Sequence, residues 1–403
     1  MRENLKSFAV FSASLMFILV VTTGCMVNVP GCGKRSLPFF QNESSPLRTA
    51  TAGQIVPAGT PVAAIPSNQV NAAGTAVPNV ATVETELIAY TAMDGNQWGL
   101  FTMAPDGSNV QRLTPKNANA WYPLWSPSGK QLAFLSDTNN GKVNLFVAAK
   151  GSKELKQLTF FDDLGEPRAY PSQAPFTWSP RSDQIALIYR HQIVLVDLEK
   201  LSHTTLTEVD ENYKILSLDW APRRDNRYVA FMVQEGGNFH SLYLVNPRLH
   251  DKVQLGSIHN TAGPLSWSSD ANSVAYYRGN NLSEVVYETQ RTKSILLEAT
   301  PEFGGVLSYA PVDGNNNILM LAKKAKEESG YRVATVDKPS TGDSDTGTLK
   351  YLTEPGVEYA AWSPDATKIV YILDGAIWVM DASGANKKRI SLAGAKTPAW
   401  TKK

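Results

Sequence analysis

The sequence has little of the chemistry that metal sites and disulfide-stabilised folds require. Only two cysteines, Cys25 and Cys32, occur among 403 residues, which excludes a disulfide scaffold and a cysteine-rich zinc site. Five histidines leave little material for metal binding or acid–base catalysis. A charge excess is also absent, because 38 Lys and Arg residues stand against 37 Asp and Glu residues. This balance excludes a dedicated nucleic-acid-binding protein, so we expect no nucleic-acid partner.

The remaining composition is that of a chain with a sizeable buried core. Hydrophobic residues make up 43% of the sequence and charged residues 19%, which argues against a disordered or collagen-like chain. A length of 403 residues suits two ordinary domains or one large repeat fold.

Residues 1–24 have the pattern of an export signal. Arg2 and Lys6 precede an uncharged apolar run over residues 8–21, and small residues lead to Cys25. The letters TTGC resemble a bacterial lipoprotein box, which implies cleavage and lipidation of Cys25 and anchoring by that lipid. An uncleaved transmembrane anchor is the alternative, because the apolar segment is just long enough to span a bilayer. Both interpretations place the rest of the chain in the bacterial cell envelope, at the outer face of the cytoplasmic membrane or in the periplasm.

A linker is predicted over residues 25–85. Residues 49–83 carry no charge and are rich in Ala, Val, Thr and Pro. Their prolines oppose long helices and strand pairing, and no period of 2 or 3.6 is present. We therefore expect a flexible tether between the membrane and the folded domain.

From residue 86 to residue 403 the chain repeats one unit. Each unit has an aromatic residue, usually followed by Ser-Pro, then a turn, two apolar strands around a hairpin, and a last strand that often ends in Leu-Thr. The aromatic anchors are Trp125, Trp178, Trp220, Trp267, Tyr309, Trp362 and Trp400. They are spaced by 38 to 53 residues, and six of the nine tryptophans occupy this position. The unit with Tyr309 departs furthest, because it lacks the tryptophan and carries an insertion.

This period, with four short strands per unit, predicts an all-β fold, a seven-bladed β-propeller of four-stranded antiparallel blades. Residues 88–114 supply three strands without an innermost one, and the segment at Trp400 supplies an innermost strand alone. We therefore predict that a composite blade from both termini closes the ring. A closed ring also predicts a monomeric propeller.

The WSPDG-like turns followed by IAF-, LYV- and LT-type strands resemble the TolB-type (WD40-like) propeller repeat. The resemblance covers residues 86–403 and implies an extracytoplasmic module that binds proteins or ligands around its axial channel. The α/β domain that precedes the propeller in TolB has no counterpart here, since a linker is predicted in that region. Partners bound through that domain are not carried over.

No catalytic or cofactor-binding motif was found in the sequence. The G-x-S-x-G elbow of propeller-linked hydrolases is absent, and the Asp-Gly pairs lack the carboxylate spacing of calcium loops. We expect no cofactor, no metal and no enzymatic activity.

Sorting charged loop residues by topology predicts an acidic channel mouth and a basic opposite face. In a meander blade, the loops between blades share one face with the middle hairpins. The candidate partner-binding residues on that face are Trp121, Tyr122, Asp162, Asp163, Tyr170, Asp210, Glu211, Tyr213, Glu358 and Tyr359. Aromatic residues beside carboxylates suit a basic or amphipathic partner. The alternative is that these acidic loops only keep the surface soluble.

We therefore predict a membrane-tethered, non-enzymatic module that binds a protein or peptide, possibly basic, or a cell-wall glycan through its channel-mouth loops. The alternatives are a carbohydrate-binding or carbohydrate-active propeller, and a structural subunit of an envelope complex. The basic face is predicted to look toward the membrane, because both ends of the propeller lie on it and anionic lipid attracts basic residues.

Overall fold

A computed structural model describes residues 85–162, 164, 173–223, 228–259, 263–279, 281–296, 302–324, 330–338 and 346–401. The predicted signal, the lipidation site Cys25 and the linker up to residue 84 lie outside the described residues. Among the described residues, no helix has the length and hydropathy of a membrane span.

The described residues form 28 β-strands, which lie in the following order. They are β1 (Ile88–Asp94), β2 (Gln97–Met103), β3 (Gln111–Arg112), β4 (Ala120–Trp125), β5 (Gln131–Ser136), β6 (Asn144–Ala149), β7 (Leu155–Gln157), β8 (Phe176–Trp178), β9 (Gln184–Tyr189), β10 (Gln192–Asp197), β11 (Ser202–Glu208), β12 (Lys214–Trp220), β13 (Val229–Gly236) and β14 (Phe239–Val245). The second half comprises β15 (Lys252–His259), β16 (Leu265–Trp267), β17 (Ser273–Arg278), β18 (Asn281–Val286), β19 (Thr292–Ser294), β20 (Phe303–Tyr309), β21 (Ile318–Ala322), β22 (Arg332–Asp337), β23 (Thr348–Tyr351), β24 (Val357–Trp362), β25 (Lys368–Leu373), β26 (Ala376–Asp381), β27 (Lys388–Arg389) and β28 (Ala395–Trp400).

These strands form seven four-stranded antiparallel sheets, which confirms the predicted seven-bladed propeller. Blades 2 to 7 each consist of four consecutive strands, from β4–β7 to β24–β27. Blade 1 is composite, because its order is β28, β1, β2, β3. In it, Ile88 pairs with Trp400 and Ala92 pairs with Ala395. The predicted closure by segments from the two ends of the propeller is therefore confirmed.

The hydrophobic core lies between neighbouring blades, in separate clusters. One cluster joins Leu135 and Leu145 of blade 2 to Phe176 and Ile185 of blade 3. Apolar side chains recur at every second strand position because one face of each sheet packs against the next blade. The anchor aromatics are all buried, with at most 8% of their surface exposed. A single blade has no other way to cover both faces.

The anchor tryptophans also link blades by hydrogen bonds. The indole Nε1 of Trp178 donates to the backbone O of Leu124 at 3.0 Å, and that of Trp267 donates to the backbone O of Asp219 at 3.2 Å. Trp125 and Trp362 make the equivalent bonds at 3.2 and 3.3 Å. In each case the acceptor immediately precedes the anchor of the preceding blade in the ring. This bond accounts for tryptophan at these four anchors, whereas Trp400 Nε1 donates to Glu86 Oε2 at 3.1 Å.

Tyr309 departs from this pattern and has a different partner. Its hydroxyl donates to Oε2 of the buried Glu284 in blade 5, at 2.9 Å. Ser273 Oγ donates to the same oxygen at 2.9 Å, and Lys338 Nζ pairs with Glu284 Oε1 at 2.5 Å. A buried, ion-paired carboxylate therefore joins blades 5 and 6 at this anchor.

Candidate functional site

The innermost strand of every blade faces an axial channel with a cavity of about 600 Å³. The innermost strands begin at one end of the channel, where Tyr122 and Tyr359 lie, and we call this end the entry mouth. They finish at the other end, where Arg223 and Asp313 line the cavity and form an ion pair at 3.6 Å. Pockets of a few hundred Å³ bind small ligands or single side chains of a partner.

The residue before each anchor gives the channel wall two different halves. All seven of these residues line the cavity. On four consecutive blades they are polar, namely Thr177, Asp219, Ser266 and Ser308. On the other three blades they are apolar, namely Ala361, Ala399 and Leu124. The channel is thus polar on one side and apolar on the other.

Asp219 is the carboxylate of the polar half. Its Oδ2 accepts a hydrogen bond from the backbone N of Trp267 at 2.9 Å, and its Oδ1 accepts one from Thr177 Oγ1 at 3.4 Å. Although part of its side chain borders the cavity, it lies deep among protein atoms. Burial raises the pKa of Asp219 to about 7, against the opposing effect of these hydrogen bonds. Its charge therefore changes near neutral pH.

Gln173 reaches into the channel from the loop between blades 2 and 3. Its Nε2 donates to the backbone O of Leu218 at 3.3 Å and to that of Leu265 at 3.2 Å. Its Oε1 is buried and has no hydrogen-bond partner within the described part of the chain. Since Leu218 directly precedes Asp219, both acceptors lie on the polar half of the wall.

Two of the predicted partner-binding residues, Tyr122 and Tyr359, line the channel at the entry mouth. Burial raises the pKa of Tyr359 to about 12, and the neighbouring Tyr122 adds to the shift. Tyr122 has a φ of 52°, which turns β4 at the point where its register with β5 shifts. The structure therefore brings these two phenols together.

Trp121 and Tyr213 contribute to packing between blades. Trp121 is half-buried against the cluster of blades 2 and 3, and Tyr213 lies against the cluster of blades 3 and 4. Neither is among the residues that line the channel cavity described above.

The acidic candidates lie on the surface around this end of the channel. Asp210 accepts bonds from Asn212 N and Nδ2, each at 2.9 Å, and these bonds lower its pKa. Asp162 lies 3.6 Å from Lys142 Nζ, and it is exposed, as are Glu211 and Glu358. Asp163 and Tyr170 lie outside the described residues.

Cations from the middle hairpins and strands pair with further acids of this face. Lys323 Nζ lies 3.0 Å from Glu302 Oε2, and Arg332 Nη1 lies 3.3 Å from Glu354 Oε2. With Lys142 and Asp162, these pairs compensate part of the negative charge that a count of inter-blade loops alone predicts. The remaining acidic candidates are spread over separate loops.

Asp219 and Gln173 were not among the residues that the sequence pattern singled out. A signal for Asp219 was present, because it stands immediately before Trp220, where three other units carry an apolar residue. Gln173 had no such signal, since its role depends on contacts with two other blades.

Taken together, the fold and channel define a seven-bladed β-propeller with a two-sided axial cavity. No protein-family profile matches the chain. Over 113 residues it is 24% identical to the Tol-Pal system protein TolB of Alcanivorax borkumensis, a match that spans 28% of this chain and 24% of that protein. The crystal structure of TolB from Acinetobacter baumannii superposes with a TM-score of 0.50 at 15% identity, over 78% of this chain and 66% of that one. The resemblance to TolB-type propellers is thereby confirmed.

Enzymes share this architecture too. Oligogalacturonate lyase, solved in complex with manganese, superposes with a TM-score of 0.54 at 12% identity, over 76% of this chain and 84% of that one. A puromycin-hydrolysing peptidase of Mycobacterium tuberculosis superposes with a TM-score of 0.53 at 15% identity, over 75% of this chain and 53% of that one. The prediction that the chain is not an enzyme was wrong: it relied on the absence of known catalytic motifs, and the fold is shared with a lyase and a peptidase. The fold alone does not separate binding proteins from enzymes.

Proposed function

We propose that this chain is a binding propeller of the bacterial cell envelope, whose entry mouth and channel receive part of a protein or peptide partner. The observation that carries the proposal is the cavity of about 600 Å³, which all seven innermost strands surround and two phenols border at the entry mouth. Its wall, which combines an apolar half with a few convergent polar groups, is typical of ligand-binding sites.

The rigidity of the propeller favours this mode of binding. Each innermost strand is held by three further strands and by buried clusters on both sides. Such a ring loses little conformational freedom when a partner enters, because the mouth is largely formed beforehand. Exposed carboxylates such as Asp210, Glu211 and Glu358 surround the entry and would attract a basic partner during approach.

The envelope location and the tether belong to the same proposal. The pattern of residues 1–24 supports export, and the letters before Cys25 support lipidation at that residue. Similarity to a protein of the Tol-Pal system is in line with an envelope role. A tethered ring would present its entry mouth to partners that the linker allows it to reach.

Site-specific photo-crosslinking in intact envelopes tests the proposal. A photoreactive amino acid is placed at Glu358 or Glu211 on the entry side, and at Lys387 or Ser383 on the opposite face as matched controls. All four side chains are exposed, so the insertion itself is expected to leave the fold unchanged. We expect a discrete protein adduct from the entry-side positions and none from the controls.

Three results would contradict the proposal. Adducts from the control positions alone would show that the binding surface lies on the other face. Adducts with equal yield from both faces would indicate contact without a defined site. Absence of any adduct, together with retention of the chain on a glycan array, would indicate that the partner is a carbohydrate and not a protein.

A further inference from the structure

Asp219 is a carboxylate in the channel wall whose described partners are all neutral. Its oxygens accept from the backbone N of Trp267 and from Thr177 Oγ1. Arg223, the one described cation lining the cavity, pairs with Asp313. A partly buried carboxylate without a cation beside it is costly, and proteins usually satisfy such a charge by pairing it.

Gln173 fixes this part of the wall. Its Nε2 holds two backbone oxygens of blades 4 and 5, and one of them belongs to Leu218, the neighbour of Asp219. Its carbonyl Oε1 is buried and lacks a hydrogen-bond partner among the described residues, so it is closed off from the channel. Asp219 is therefore the charged acceptor that this half of the wall presents to a ligand.

We propose that Asp219 holds the primary ammonium group of a lysine-type side chain that enters the channel, at a wall that Gln173 keeps in place. The inference rests on the proposed function, because it names the chemical class that the same cavity takes. The ammonium group has three N–H donors and no acceptor, which matches a carboxylate whose described partners are all neutral. Its aliphatic stem would lie along the apolar half at Ala361, Ala399 and Leu124.

A metal ion fits this wall less well than an ammonium group. Calcium takes six to eight oxygen ligands and usually several carboxylates. Within the described ranges, no group of three or more His, Cys, Asp or Glu residues could hold a metal. A single carboxylate instead provides the negative charge that an organic cation needs.

The test compares two small probes by isothermal titration calorimetry, N-acetyl-lysine methylamide and N-acetyl-norleucine methylamide. The second probe has a similar apolar chain but no ammonium group. We expect the full chain to bind the lysine probe about tenfold more tightly or better, as a close charge pair allows. Asp219→Asn keeps an acceptor for the Trp267 N–H and removes the charge, so it should abolish this difference.

Further variants keep the test informative if Asp219→Asn folds poorly. Gln173→Met removes the bonds that hold the backbone beside Asp219 and should also weaken binding of the lysine probe several-fold. Glu199→Gln, at an exposed carboxylate in the turn between β10 and β11 and outside the channel lining, is the control and should change nothing. Circular dichroism spectra and melting curves confirm folding of each variant.

Equal binding of the two probes, absence of binding, or an unchanged preference in Asp219→Asn would overturn the proposal. Binding of calcium chloride to the wild type, lost in Asp219→Asn without any binding of the lysine probe, would replace the ammonium group by a metal. Entry-side photo-crosslinks that persist in either case would show that only this inference has failed and that partner binding stands.

Discussion

The indole N–H of the anchor residues explains why tryptophan, rather than phenylalanine, recurs at this position. A phenylalanine would bury a comparable apolar ring, but it could not satisfy the carbonyl of the preceding blade. Four anchors make this bond, as Trp178 does to Leu124 O at 3.0 Å. A hydrogen bond, as well as packing, therefore favours tryptophan at the anchor position of these blades.

Replacing Trp178 by Phe should lower the free energy of unfolding by about 2 kcal/mol or more, because a buried carbonyl loses its donor and a smaller ring leaves a void. Urea denaturation measures this loss. Trp98→Phe, outside the anchor position, is the control and should cost clearly less. Equal losses would mean that the indole bond contributes nothing beyond ring size.

Glu284 gives a second prediction at the residue scale, since its buried carboxylate depends on Lys338 for its counter-charge. Lys338→Met should cost about 3 kcal/mol or more, because one partner of a buried pair is removed. Adding Glu284→Gln to that variant should restore much of the stability. A double-mutant cycle by urea denaturation measures the coupling, and strictly additive losses would refute it.

The raised pKa of Asp219 predicts that the stability of the protein depends on pH. Burial raises its pKa from 3.8 to about 7, so the folded protein keeps a proton that the unfolded chain releases in this range. The contribution of Asp219 to stability therefore falls as the pH rises from 3.8 to about 7 and stays low above it.

Asp219→Asn should thus be more stable than the wild type above neutral pH, by a few kcal/mol at most, since one pKa unit corresponds to about 1.4 kcal/mol. The difference should shrink toward acidic pH. Urea unfolding measured across this pH range checks it. An advantage that is independent of pH would rule out titration of Asp219 as the cause.

At the scale of strands and blades, the sequence pattern predicted most of the architecture. The spacing of Trp125, Trp178 and the other anchors predicted seven blades, and the isolated segment at Trp400 predicted the composite blade. These features are local and periodic, so they can be recognised in the amino-acid sequence alone.

The channel wall could be predicted only in part, because its contacts join residues from different blades. Gln173 bonds to Leu218 and Leu265, which lie 45 and 92 residues away. The ion pair of Glu302 with Lys323 likewise joins an inter-blade loop to a hairpin. Sorting residues by loop type assigns them to a face but does not say which charges meet there.

The closing strand β28 supports a prediction of its own. A chain ending at Gly394 loses β28 and leaves the edge of β1, with Ile88 and Tyr90, without its pairing partner. Exposed strand edges associate, so we expect a lower melting temperature and oligomers in size-exclusion chromatography with light scattering. A chain ending at Thr401 is the control and should remain monomeric. Two chains with the same melting temperature would refute a closing role.

At the scale of the whole molecule, the near-zero net charge conceals an uneven distribution. Lys387, Lys388 and Arg389 follow one another on the face opposite the entry mouth. Asp210 and Glu211 lie on the entry side. Ion pairs reduce this contrast where hairpin cations meet loop acids. The orientation of the ring toward the membrane remains a prediction from the sequence.

The propeller comprising residues 86–403 should bind vesicles with anionic lipid, and salt should weaken the binding, because each basic residue near the surface contributes about 1 kcal/mol. Neutralising Lys387, Lys388 and Arg389 with glutamine should reduce co-sedimentation. The same change at Lys116 and Lys214, on the entry side, should have little effect. Equal losses of co-sedimentation from both sets of substitutions would contradict the proposed orientation.

Placing β28 at the joint makes completion of the ring depend on the strand that follows the other twenty-seven described strands along the chain. Until β28 has formed, one edge of β1 has no neighbour, so blade 1 is the first blade to begin and the last to be completed. The backbone N–H and C=O groups along that edge stay without partners during this interval.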